Sequence, residues 1–176
     1  KDIFAEKTFY DEDEKKFRKF DFSDDGTVIA SYNEANRLSD QPVWEKGIEY
    51  YYSIGDDNTL NLKGKSVYVD EKPYSYSEAV ELINSWNEDY FLENLKDDWY
   101  ADDFDFTKES GMLDCIKYAL PEKGIFLDKD INCQTALNKY VEYRKKQLKE
   151  YLTFDFFSVL KLKFTKNEDG TISIDV

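Results

Sequence analysis

The stretch of this chain with the most chemistry per residue is Asp97-Asp98-Trp99-Tyr100-Ala101-Asp102-Asp103-Phe104-Asp105-Phe106, which mixes five acids with four aromatics. Carboxylates attract cations and accept hydrogen bonds, while aromatic faces stack on flat or charged groups. Such a run can bind a sugar, a cationic peptide or a cation. Trp99, Tyr100, Asp102, Asp103 and Phe104 form the predicted contact surface. The simpler role for the same residues is structural: Trp99, Phe104 and Phe106 anchor a long loop between helices while the acids face water, because so many exposed aromatics would make an adhesive patch.

The remaining candidates are weaker. Asp128-Lys129-Asp130-Ile131-Asn132 opens like a calcium loop, but the sixth position is Cys133 where the loop needs Gly, and the twelfth is Lys139 where it needs a bidentate Glu. A helix cap explains these residues more simply, and no metal is expected. Asp11-Glu12-Asp13-Glu14 reads as a solvated turn. Gly64-Lys65-Ser66 lacks the upstream glycine of a phosphate-binding loop. With 38 acids in the chain, some carboxylate pair stands at a glycosidase spacing by chance, so abundance carries no signal.

Composition removes other chemistries. There is no histidine, so Ser-His-Asp and Cys-His catalysis, imidazole bases and His-ligated metals all drop out together. No catalytic motif is present, and no cofactor is expected. Cys115 and Cys133 have no metal spacing, and the sequence leaves open whether they pair. A net charge of −14 disfavours direct contact with nucleic acid. The 14 Tyr, 13 Phe and 3 Trp argue for a packed aromatic core and against disorder. No apolar run is long enough for a transmembrane helix.

These residues must be positioned by two kinds of element. Lys19 to Phe22 alternates into Ser23-Asp24-Asp25-Gly26 and resumes at Thr27 to Tyr32, which predicts a tight hairpin. A second copy places Ile48, Tyr50, Tyr52 and Ile54 on one face, turns at Gly55-Asp56-Asp57-Asn58 and continues from Thr59. A third puts Phe154, Phe156, Leu160, Leu162 and Phe164 on one face, with a turn at Asn167-Glu168-Asp169-Gly170 before Thr171. Between them the period becomes helical. Ser75 with Glu78 makes a capping box before Ala79, Leu82, Ile83 and Trp86, with Phe91 and Leu95 extending the stripe. Met112, Leu113, Ile116 and Leu120 stop at Pro121, and Asn132 or Asp130 caps a long helix carrying Leu137, Tyr140, Val141, Arg144, Leu148 and Tyr151. The expectation is one α+β domain over residues 1–176. Its β part, 7–70 and 153–176, forms an antiparallel meander or a partial or closed barrel, and about three helices are inserted over 76–152.

Phe4-Ala5-Glu6-Lys7-Thr8-Phe9-Tyr10, the run Phe20-Asp21-Phe22-Ser23-Asp24-Asp25-Gly26-Thr27-Val28, Trp44, Tyr50-Tyr51-Tyr52-Ser53-Ile54 and Thr59-Leu60-Asn61-Leu62 together resemble the opening of small bacterial lipocalin-like lipoproteins. The resemblance covers about residues 3–70 and 154–176 and rests on a generic hairpin signature. It implies a non-enzymatic exported protein, secreted or held in the cell envelope by a lipid anchor. Removal of an export signal would account for a chain that starts at Lys1, and so would trimming of the chain. Such a protein is expected to bind a small apolar or aromatic ligand, or an envelope or host partner, and Trp44, Tyr50, Tyr52 and Trp86 are the lining residues expected here. The competing expectation is a cytosolic acidic interaction module, an inhibitor or nucleic-acid mimic that offers its acidic helical block to a basic surface.

Overall fold

The computed structural model describes residues 2–10, 17–35 and 41–175; the acidic run Asp11-Glu12-Asp13-Glu14 lies outside them. The chain divides into two compact units, residues 1–80 with 151–176, and residues 81–150. With 37% of the chain helical and 32% in strands, the class is α+β.

The first unit is an antiparallel sheet. Strands β1 (Thr8–Tyr10), β2 (Arg18–Phe22), β3 (Thr27–Asn33), β4 (Trp44–Gly55) and β5 (Thr59–Val69) follow one another as a meander, and β7 (Leu160–Lys166) and β8 (Ile172–Asp175) extend it beyond β5. A short β6 (Lys72–Tyr74) pairs with the far end of β5. The N- and C-terminal strands therefore share one sheet, joined where Leu60 faces Leu162. Single extra residues at Gly47 in β4 and Lys65 in β5 shift the register, and such bulges bend and twist strands. The result is a nearly closed barrel.

The repeated Asp-x-Thr of the turns has a physical cause. Asp25 Oδ1 accepts the backbone N–H of Thr27 at 3.1 Å and its hydroxyl at 2.6 Å. Asp169 Oδ1 does the same for Thr171, at 2.9 and 2.6 Å. The residue between them is Gly26 (φ +87°) in one turn and Gly170 (φ +86°) in the other, a left-handed backbone that costs glycine little. The middle hairpin turns differently, with Asp57 and Asn58 themselves at φ 56° and 54°. Hydrogen bonds from Thr27, and above all from the side chain of Ser23, hold the Asp25 carboxyl below the ordinary carboxylate range, and Thr171 lowers Asp169 in the same way. A depressed folded-state pKa means the ionised form stabilises the fold at neutral pH, and that support is lost as pH falls through the folded value. NMR titration of the side-chain carbonyls is expected to give both Asp25 and Asp169 midpoints below 3.8, the ordinary Asp value; midpoints at or above it would contradict the turn geometry.

The barrel unit has a packed aromatic and aliphatic core. Phe4, Phe20, Phe22, Val28, Leu60, Leu62, Phe164 and Ile174 form one buried cluster. Phe4 precedes the first strand, yet its ring stacks on Phe22 at 5.0 Å and meets Phe164 edge-on at 5.1 Å, so both ends of the strand order share one core. Asp2 fixes this entry: its Oδ1 accepts the N–H of Phe4 and of Ala5, and its Oδ2 accepts the Tyr52 hydroxyl at 2.8 Å.

The helices are four among the described residues, where about three were expected: α1 (Tyr76–Ser85), α2 (Glu88–Lys96), α3 (Glu109–Ala119) and α4 (Cys133–Phe157). The predicted capping box is present, with Ser75 N–H donating to Glu78 Oε1 at 3.0 Å and Glu78 N–H to Ser75 Oγ at 3.3 Å. The expected continuous stripe from Ala79 to Leu95 breaks because Asn87 starts a new helix, its Oδ1 accepting Tyr90 N–H at 3.1 Å. Asn132 caps α4 through Thr135 N–H at 2.8 Å. A second correction concerns Phe154 and Phe156, expected on a strand. They sit in the last turns of α4, and β7 begins only at Leu160, later than the expected boundary at 153. That helix runs unbroken to Phe157 because no Gly or Pro interrupts it. It presses on β5 so closely that a Cβ on Gly64 would meet the Asp155 carbonyl oxygen at 2.4 Å.

The core of the second unit is Phe91, Leu95, Cys115, Ile116, Leu120, Ala136, Leu137 and Tyr140. It joins α2, α3 and the first turns of α4.

Candidate functional site

Of the four expected lining residues, Trp44, Tyr50 and Tyr52 belong to the barrel unit and Trp86 to the helical unit. Tyr50 and Tyr52 pack on the barrel core, and Tyr52 is tied edge-on to Phe22 at 4.9 Å. Burial raises the phenol of Tyr50, and burial together with Asp2 pushes Tyr52 up to about 12. Trp44 pairs with Asn33 at the start of β4, next to Tyr10 (5.9 Å between rings) and under the Lys19 ammonium (5.3 Å). Trp86 belongs to the helical unit, stacked on Tyr90 at 4.1 Å.

The predicted contact surface is more coherent. The chain after α2 descends through tight turns, with Asp98 N–H donating to Leu95 carbonyl, Ala101 N–H to Asp98 and Phe104 N–H to Ala101. Ala101 is buried at the centre of these turns, while Asp97, Asp98, Asp102 and Asp103 face solvent. Phe104 and Phe106 pack against the helical core, as expected of anchors. Trp99 does not: it is 80% exposed. Its ring meets Tyr100 edge-on at 5.5 Å, and Tyr100 and Phe104 both lie against Tyr118, at 5.0 and 5.9 Å.

Trp99 and Tyr100 stand beside a concave cleft of about 490 Å³. One wall is α4, whose Tyr140, Tyr143, Arg144 and Gln147 line the cleft at the i, i+3, i+4, i+7 spacing that brings helical residues onto one face. The opposite rim carries Asn94, Asp97 and Asp98, and the end of α3 with the turn after it adds Ala119, Leu120, Glu122 and Lys123. Tyr100 donates its hydroxyl to Asp98 Oδ2 at 3.0 Å. Burial, then that carboxylate, hold its phenol well above the ordinary value, so it stays a neutral donor. Tyr140, pushed up to about 12 by burial, stays neutral as well. Arg144 is held by Gln147, its Nη1 donating to Oε1, and no carboxylate among the described residues forms an ion pair with it. Asp102, Asp103 and Phe104 are not part of the cleft lining; they lie on the loop that follows its rim.

No known family matches this chain. A search of family models, of curated proteins and of solved structures returned no similar protein, so the cleft is read from its own chemistry.

That chemistry is hydrogen bonding and stacking. Burial raises the Cys115 thiol to about 11 and also raises Cys133, so both thiols are protonated at neutral pH; they are free, with Cys133 Sγ 3.6 Å from Met112 Sδ. Among the described residues no group of three or more Cys, Asp or Glu could hold a metal ion, and no helix is long and apolar enough to cross a membrane. A second, smaller hollow in the barrel unit is lined by Glu49, Lys65, Tyr68 and Glu78. Its polar groups are already partnered, Lys65 with Glu49 at 2.5 Å and Glu78 in the capping box. The helical cleft, whose Arg144 is engaged by the neutral Gln147 and Tyr140 and by no carboxylate among the described residues, is the better site.

Of the cleft lining, Trp99 and Tyr100 are among the residues expected from the sequence to form a contact surface, and Asn94, Tyr143 and Gln147 are not. The sequence carries a signal for Tyr143 and Gln147: with Tyr140 and Arg144 they share one helical face, and all four are polar or aromatic.

Proposed function

We propose that this is a non-enzymatic binding protein of the cell envelope or exterior, in which a lipocalin-like barrel serves as scaffold and the helical unit takes the ligand. The resemblance of the hairpins to small bacterial lipoproteins supports export. The observation that carries the ligand site is the open 490 Å³ cleft of the helical unit, lined by Trp99, itself 80% exposed. Eight-stranded barrels hold a ligand only where side chains leave the interior empty, and here Phe4, Val28, Leu60 and Leu62 are completely buried within it. The cleft falls in the size range of small-molecule sites and combines aromatic walls with a few convergent polar groups.

A fragment screen followed by backbone NMR on the intact chain tests this reading. Hits are expected to shift the amides of Asn94, Asp98, Tyr100, Tyr143 and Arg144 and leave Phe22, Val28, Leu60 and Leu62 in place. Hits that shift the barrel interior and leave the cleft unmoved would overturn it. A second reading, an acidic surface for a basic protein, is favoured by the four exposed aspartates flanking Trp99 and would show as an affinity that falls steeply with added salt.

A further inference from the structure

We infer that the ligand of the helical cleft is a neutral saccharide, a reading that rests on the cleft being the binding site. The first argument is charge. The lining holds three carboxylates, Asp97, Asp98 and Glu122, against two cations, Lys123 and Arg144. A polycation would meet Arg144 and Lys123, and a polyanion would meet the three acids. In either case like charges brought together in a partly desolvated cleft are costly. Mixed signs at close range suit a ligand without net charge.

The second argument is hydrogen-bond grammar. A carboxylate only accepts and a guanidinium or ammonium only donates, while an amide does both. Asp97, Asp98, Arg144, Asn94 and Gln147 therefore present acceptors and donors side by side. A hydroxyl both donates and accepts, so a ligand carrying adjacent hydroxyls satisfies both kinds of group at once. Purely apolar ligands satisfy neither and would leave these groups desolvated without partners.

The third argument is the platform. Trp99 offers its ring to solvent beside the cleft, with Tyr100 meeting it at 82° and 5.5 Å. Because the indole is 80% exposed and also lines the cleft, its face is available to stack on a bound ligand. A pyranose has one face of C–H groups that lies flat on an aromatic ring and an edge of hydroxyls that faces the polar wall, which is the division of labour this cleft shows.

The test is titration of the full chain with a panel of neutral tetra- to hexasaccharides of glucose, mannose, galactose and N-acetylglucosamine type, read by calorimetry and by the Trp99 indole signal. At least one is expected to bind. Its affinity should change less than about 2-fold between about 0.05 and about 0.5 M salt, because neither partner contributes a net-charge attraction to screen. Trp99→Ala is expected to weaken it at least about 10-fold, and Arg144→Gln about 10-fold, the loss of one charge-assisted hydrogen bond of about 1.4 kcal/mol. Trp99 is on the surface, so its replacement leaves the fold intact, checked by an unchanged melting temperature. The inference is overturned if no saccharide in the panel shifts Trp99 at about 10 mM, a concentration that would reveal a Kd in the millimolar range, or if binding survives Trp99→Ala. It is equally overturned if a lysine-rich peptide competes the saccharide off with steep salt dependence. Fragments that perturb the cleft while every saccharide fails would sink the saccharide and leave the cleft as the binding site.

Discussion

Gly111→Ala is expected to destabilise the protein by about 3 kcal/mol, the upper end for forcing a methyl group into filled space. The opposite result follows from propensity alone, since alanine is better than glycine in a helix interior by about 1 kcal/mol, and Gly111 lies in the first turn of α3. Geometry decides the sign. A Cβ at this position would stand 1.9 Å from the carbonyl oxygen of Asp105 and 2.6 Å from its carbonyl carbon. Those are backbone atoms, held by Asp105 Oδ1 accepting Thr107 N–H at 3.0 Å and by Lys108 N–H donating to the Asp105 carbonyl. No rotamer change relieves the contact, so the loop carrying Phe104 and Phe106 must move. At about 2–4 °C per kcal/mol for a chain of this length, thermal unfolding followed by circular dichroism should show a drop of about 10 °C. A melting temperature equal to or above wild type would mean the 97–108 loop does not approach α3 as described.

Phe22→Ala is expected to cost about 4 kcal/mol, within the range for deleting a buried phenylalanine. Phe22 is 5% exposed and contacts three other rings, Phe4 at 5.0 Å, Phe9 at 5.5 Å and Tyr52 at 4.9 Å. These come from the N-terminal segment, β1 and β4, so the cavity left behind opens where several elements meet and cannot collapse by moving one of them. A drop of about 12 °C in melting temperature is expected. Retention of wild-type stability would show that the core of the barrel unit is not packed as described.

The hairpins were readable because their chemistry is local. Asp-x-Thr around a glycine closes a turn through hydrogen bonds made within three residues, and alternation then assigns the faces. The same locality explains what was missed. The turn between β5 and β6 uses Asp70 and Glu71, both at positive φ of 51° and 64°, with no Gly or Asn to announce it. Phe154 and Phe156 alternate like strand residues, yet helix α4, once capped by Asn132, propagates through them, and Phe156 is buried where Gly64 lets the helix approach β5. That approach is a tertiary fact, invisible in a window of either segment. For Trp99 the sequence offers two roles, contact surface or core anchor; it is 80% exposed, while Leu95 and Ala101 take the buried positions before and after it. The expected α4 stripe holds for Leu137, Tyr140, Val141 and Leu148, which share the helical core, while Tyr140 and Arg144 also line the cleft, a second role that periodicity alone does not announce.

Three tryptophans report directly on whether ligand is taken at the helical cleft or inside the barrel. Trp44 stands on the barrel sheet, Trp86 stacks on Tyr90 in the helical unit, and Trp99 stands at the cleft. Each gives its own indole N–H signal in a two-dimensional proton–nitrogen spectrum. On titration with a binding oligosaccharide the Trp99 signal is predicted to move and saturate while Trp44 stays fixed. Movement of Trp44 with Trp99 unchanged would contradict the account.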